Sequence, residues 1–119
     1  MSAFNLNKVT IPFYIADVST AGQIYVPIPA EFDGDVVEIR TALNGAIATA
    51  NAAITPKIGG TAMTNGGITI TQSGSAAGDV DTSNPTGANT VRAGEAVEIE
   101  TDGASTNAVA VSGVLVILR

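Results

Sequence analysis

The sequence predicts an all-β fold: a single-domain antiparallel β-sandwich, of jelly-roll or immunoglobulin-like type, with about eight strands. Three observations carry that expectation. Apolar residues recur with a period of two along most of the chain, as they do in strands with one buried and one wet face. Asn-Gly and Asp-Gly dipeptides separate the alternating runs at hairpin spacing. The composition has 13 Gly, 5 Pro and 45% hydrophobic residues but only 4% aromatics, which suits a turn-rich sandwich with a core of Val, Ile, Leu and Ala. At 119 residues the chain makes one domain with a modest core.

The first run, KVTIPFYI, places Val9, Ile11, Phe13 and Ile15 on one face and Thr10, Pro12 and Tyr14 on the other. In GQIYVPIP, Ile24, Val26 and Ile28 alternate with Tyr25 and Pro27. Pro12, Pro27 and Pro29 cannot donate to a ladder, which marks these strands as edges or bulged and makes pairing with another chain plausible. In VVEIRTAL, Val37, Ile39, Thr41 and Leu43 oppose Glu38 and Arg40. The segment GAIATANAAITPKI could open as an Ala-rich helix over 46–53, but Asn44-Gly45 before it and Ile54 and Ile58 within it favour a strand packed through small side chains.

ITIT contributes Ile68 and Ile70, and AVEIET sets Val97 and Ile99 against Glu98 and Glu100. The stretch from 72 to 94 has few large apolar residues and reads as a long surface or functional loop. The last run, AVAVSGVLVILR, begins by alternating and ends as a continuous apolar stretch from Val114 to Leu118. Such a strand is expected to be buried on both faces, either centrally or at a subunit interface.

Composition also excludes chemistry. With no Cys and no His, Ser–His–Asp and Cys–His hydrolysis cannot be assembled, and disulfides and Cys- or His-ligated metals are ruled out. The net charge is −6, and the five basic residues (Lys8, Arg40, Lys57, Arg92, Arg119) are scattered singly. Nucleic acid and anionic membrane surfaces are therefore not expected partners. The N-terminus shows no basic segment followed by an apolar run, so no secretory signal is visible, and no stretch approaches the ~20 apolar residues of a membrane helix. A soluble protein made in the cytoplasm is expected.

The most site-like stretch is GDVDTSNPTG, residues 78–87. Asp79, Asp81 and Ser83 alternate as calcium ligands do at positions 1, 3 and 5 of an EF-hand loop. Position 6 is Asn84 rather than Gly, and position 12 is Thr90 rather than a bidentate Glu. Turn capping by Asp, Ser and Asn explains the stretch better than a metal does. Glu98 and Glu100 lie about 7 Å apart on one strand face, a separation that suits a pair of glycosidase carboxylates. Three Phe and two Tyr are thin material for a sugar cleft, however. Asp33, Asp35 and Glu38 cluster around a turn. KIGGTAMTNGG lacks the Gly-Lys-Ser/Thr of a phosphate loop and reads as a hairpin with tight turns. Neither an enzyme nor a cofactor is expected.

Candidate interface residues are Phe4 and Leu6 in a possible N-terminal arm over residues 1–7, Val9 in the first strand, and Val114, Val116 and Leu118 in the last. A frayed terminus and an arm that adds a strand to a neighbour are equally compatible with the arm's sequence.

The stretch GGITITQSGSAAGDVDTSNPTGANTVRAGEAVEIETDGAST, followed by a short Ala/Val-rich last strand, resembles small virion proteins of tailed bacteriophages, of the head decoration (cement) or head-fibre type. The likeness covers roughly residues 8–119, and it carries no functional residue over. It implies a non-catalytic protein displayed in many copies on the outer surface of a capsid. Such a protein would bind where major capsid protein subunits meet, often as a homotrimer, and reinforce the shell. The alternative is a carbohydrate-binding or adhesive sandwich module of a phage tail or receptor-binding apparatus, for which Tyr14 and Tyr25 would be the exposed aromatics.

Overall fold

The computed structural model describes residues 7–29 and 32–119. Ten strands are present: β1 (Lys8–Ile15), β2 (Gly22–Pro27), β3 (Gly34–Leu43), β4 (Ala52–Ile58), β5 (Thr61–Ala62), β6 (Ile68–Ile70), β7 (Val80–Ser83), β8 (Thr90–Val91), β9 (Ala96–Thr101) and β10 (Val111–Leu118). They form two antiparallel sheets. Sheet A has the order β1-β10-β3, with β7 and β8 both on the far edge of β3. Sheet B has the order β2-β9-β4, with β5 and β6 both on the far edge of β4.

Counting β5/β6 and β7/β8 as one position each gives eight positions, paired first with last, second with seventh, third with sixth and fourth with fifth. That is the jelly roll, a long hairpin ribbon rolled into two facing sheets, and it decides between the two predicted sandwich types. The glycine-rich turns mostly do different work from that expected. Among the described residues the two-residue hairpin joins β4 to β5 through Gly59 and Gly60, both at positive φ (58° and 81°), as a type I′ turn requires. The Asn44-Gly45 and Asp102-Gly103 dipeptides instead sit where the chain crosses between the sheets.

Alternation builds the core. Phe13 and Ile15 of β1, Ile39 and Leu43 of β3, Val97 and Ile99 of β9, and Val111, Leu115 and Ile117 of β10 all face inward and are buried. Each fully buried Ile or Leu favours the fold by about 1.5–3 kcal/mol relative to exposure. One register differs from expectation. Val116 and Ile117 pair with Glu38 and Val36, leaving Val37 as the extra residue of a β-bulge. The bulge turns Val36, not Val37, into the core. Gly113 faces inward opposite Phe13, and a Cβ there would lie 2.2 Å from the ring. The phenyl group thus fills the volume that a side chain at 113 would need.

β1 and β2 are edge strands, as their prolines predicted. The backbone bond from Arg119 N to Asn7 O fixes the odd-numbered residues of β1 as those bonded to β10. The even ones, Pro12 included, therefore turn their backbone groups to the open edge. The bond from Ile28 N to Glu95 O places Pro27 in the same way on β2. Pro56 has a related effect in β4. Met63 N donates to Pro56 O, but Pro56 has no N–H to return, and Met63 O is taken by Gly66 N instead. The ladder ends there, which is why the fifth position is split into β5 and β6.

Two segments depart from the sequence reading. Residues 46–51 form neither a helix nor a strand; Ala48 makes an isolated bridge to Thr106, and the strand starts only at Ala52. The polar stretch 72–94 is not one loop, since it contributes β7 and β8, which complete sheet A. Its strands escaped the hydrophobic pattern because β7 turns Asp81 and Ser83 inward, leaving Val91 of β8 as the fully buried apolar side chain.

Candidate functional site

The GDVD stretch that resembled a metal loop is a bulge that opens an edge strand. Gly78 N donates to Leu43 O and Leu43 N donates to Asp79 O, so two residues face one. Gly78 has φ 92°, the left-handed conformation the first position of such a bulge needs. The Asp79 carboxylate accepts from Ala76 N at 2.9 Å and closes the preceding turn. Ser83 is buried, and its hydroxyl donates to Gly66 O at 2.7 Å, tying sheet A to the β5–β6 connection. The alternation of Asp79, Asp81 and Ser83 is thus the alternation of a strand. Among the described residues no three potential metal-ligating side chains converge. Burial, with Asp79 nearby, pushes the Asp81 carboxyl above its ordinary value.

The other acidic candidates are also separated into structural tasks. Glu98 and Glu100 project from the outer face of sheet B. Glu100 accepts from Gln23 Nε2 at 3.0 Å and pairs with Lys57 Nζ at 3.1 Å. The Gln23 bond, then the Lys57 contact, hold its carboxyl below the usual range. A glycosidase general acid needs the opposite shift. Asp33 accepts from Ala93 N, Asp35 accepts from the Thr90 hydroxyl at 2.7 Å, and Glu38 pairs with Arg40 at 3.3 Å. KIGGTAMTNGG is the β4–β5 hairpin and its continuation, as expected.

The geometry of a surface comes forward instead. The cross-strand rows on the outer face of sheet A run Lys8–Leu118–Asp35–Thr90, Thr10–Val116–Glu38, Pro12–Val114–Arg40–Thr82 and Tyr14–Ser112–Ala42–Val80. Its centre is apolar, and its two cations and two carboxylates cancel, on a molecule of net charge −6. Of the predicted interface residues, Val114, Val116 and Leu118 point to this side, Leu118 exposed, Val114 half-buried and Val116 buried. β10 occupies the middle of the sheet, so its continuous apolar run lines the core on one side and this face on the other. Val9 turns inward and packs against the edge of the core. Phe4 and Leu6 lie outside the described residues.

Toward one end of the face the small residues Ser112 and Ala42 leave a cup of about 450 Å³, walled by Pro12, Val114, Val80 and Arg40. Tyr14 stands beside it, 58% exposed, and Val80 at the far edge is equally open. Sequence reasoning marked the apolar residues of β10 but not the cup. The cup depends on which residues of four strands share a row, and that register is visible only in the folded sheet. A second hollow of about 270 Å³ lies under the β1–β2 connection, against Ile15, Thr20, Ile24 and Ile99. Asp17 organises that connection, accepting from the Ser19 hydroxyl at 2.6 Å and from Ser19 N at 2.9 Å.

No protein-family model matches the chain, and no curated protein matches it. Among solved structures, the chain is similar to one described under "Bacillus endospore appendages form a novel family of disulfide-linked pili", with 18% sequence identity, 93% of this chain and 86% of that chain covered, and a TM-score of 0.39.

Proposed function

We propose that the protein is a non-enzymatic structural component of a tailed-phage virion, which binds the major capsid protein lattice from outside and stabilises the shell. The observation that supports this reading is the outer face of sheet A: a charge-balanced surface with an apolar middle on an otherwise acidic jelly roll. A surface of this kind suits docking onto other protein, whereas an acidic molecule with scattered cations suits neither DNA nor anionic lipid. The acidic residues whose partners are described serve turns, ladders and ion pairs, which fits a structural role. The resemblance to decoration proteins points the same way.

The test is co-sedimentation of the purified protein with capsids stripped of their own decoration. Saturable binding that raises the temperature of capsid rupture is expected. Failure to pellet with capsids, together with retention on a polysaccharide matrix, would replace this reading with the carbohydrate-binding one. Tyr14 and Tyr25 project from opposite faces of the sandwich and make no shared platform for a sugar, so retention is not expected.

A further inference from the structure

We infer that the outer face of sheet A pairs two copies of this chain, face against face, about a two-fold axis that passes through β10. The open edges are poor candidates for self-association. Pro12 and Pro27 stand at backbone positions where an added strand would need a donor, so strand addition along β1 or β2 loses a bond in mid-strand. The opposite side of the sandwich is stitched shut, since Thr64 bridges to Gly87, and Asn65 Nδ2 donates to the Thr86 hydroxyl at 2.9 Å. The outer face of sheet B sets Glu98 and Glu100 beside Tyr25 and Gln23, and its carboxylates would repel a second copy, which leaves the outer face of sheet A.

Three features of that face select a second copy as the occupant. The first is charge. Two molecules of net charge −6 repel each other, but this face is neutral, and Lys8 and Asp35 flank Leu118 of β10 in one row, so a two-fold axis along β10 sets each opposite the other. The second is shape. An isologous contact requires one patch to carry both a projection and its recess. Tyr14 is the projection, and the adjacent cup, with room for an aromatic side chain, is the recess. They flank Ser112 in a single row, so a two-fold axis near Ser112 seats each Tyr14 in the other copy's cup. The third is area. Four strand positions at about 4.8 Å by seven or eight residues at about 3.3 Å give roughly 400–500 Å² in projection per copy, at the small end of specific interfaces. A dissociation constant on the order of micromolar is expected rather than nanomolar. Face-to-face pairing uses this surface up, so the product is a dimer and not the trimer that the resemblance implies, and the free dimer must part before the same face can meet the lattice.

The experiment is sedimentation velocity on the free protein from about 1 μM to about 1 mM, with wild type, Ser112→Glu, Tyr14→Ala and, as a control on the other sheet, Tyr25→Ala. The expected result is a shift from 11.9 kDa to twice that mass. Ser112→Glu sets two carboxylates against each other at the axis and should weaken dimerisation by at least about tenfold, with the thermal melt unchanged. Tyr14→Ala should also weaken it, and Tyr25→Ala should not. Because the chain has no Cys, Ser112→Cys gives one thiol per copy, and a short bis-maleimide, which spans the about 10 Å between facing sheets, should cross-link the dimer. A monomer at every concentration, a trimer, or a dimer indifferent to Ser112→Glu would overturn the inference. No capsid enters these measurements, so their failure is distinct from a failure to bind capsids.

Discussion

Asp81 shows how a residue that looked like a ligand becomes a measurable cost. It points inward from β7, and burial, then the neighbouring Asp79, raise its carboxyl above the ordinary value of 3.8. An acid whose pKa rises on folding favours the folded state when protonated. Its contribution is full below the unfolded value and is lost as pH rises through the folded one. Asp81→Asn should therefore raise the melting temperature at pH 7 by roughly 1–4 °C. The gain should shrink as the pH approaches 4, and melts recorded across that range would show it. An equal gain at every pH would mean that the carboxylate's charge is not the cause. Asp17 behaves in the opposite sense: the Ser19 hydroxyl, then Ser19 N, lower its carboxyl, and that support disappears as the pH falls through its folded value.

At the level of strands, much was legible and the exceptions have physical causes. Period-two runs located β1, β2, β3, β6, β9 and β10, because each has one face in the core. Prolines identified β1 and β2 as edges, because an edge is where a missing donor does least harm. The bulge at Val37 was not legible: a one-residue insertion is set by the partner strand, and VVEI reads equally well in either register. β7 and β8 were hidden because an edge strand with Asp81 and Ser83 on its inner side has no apolar alternation to reveal. Pro56 was not singled out within GAIATANAAITPKI, yet it dictates where sheet B's far edge breaks. The likeness to a metal loop has a related source, since ligands alternating along a loop and side chains alternating along a strand share one spacing. Edge protection at β1 can be tested directly. Pro12→Thr restores the donor in the middle of the open edge, and concentration-dependent aggregation, followed by light scattering, should increase while the melt changes little. Unchanged scattering would show that Pro12 does not guard the edge.

For the molecule as a whole, the pairing scheme joins residues far apart in sequence. β1 has its ladder with β10, and β3 has its longest ladder there too, so sheet A cannot assemble from neighbours in the chain. Loop closure must be met before those contacts form, which places refolding in the range of about milliseconds to seconds despite the small size. Stopped-flow refolding from denaturant should show this, and microsecond folding would contradict it. The central position of β10 then has a meaning for synthesis. A ribosome adds roughly 5–20 residues per second, and through most of that time β1 and β3 exist without the strand that belongs between them. The domain cannot be folded piece by piece as it emerges. It waits, with its inner faces open and within reach of chaperones, until the last eight residues before Arg119 arrive to close it.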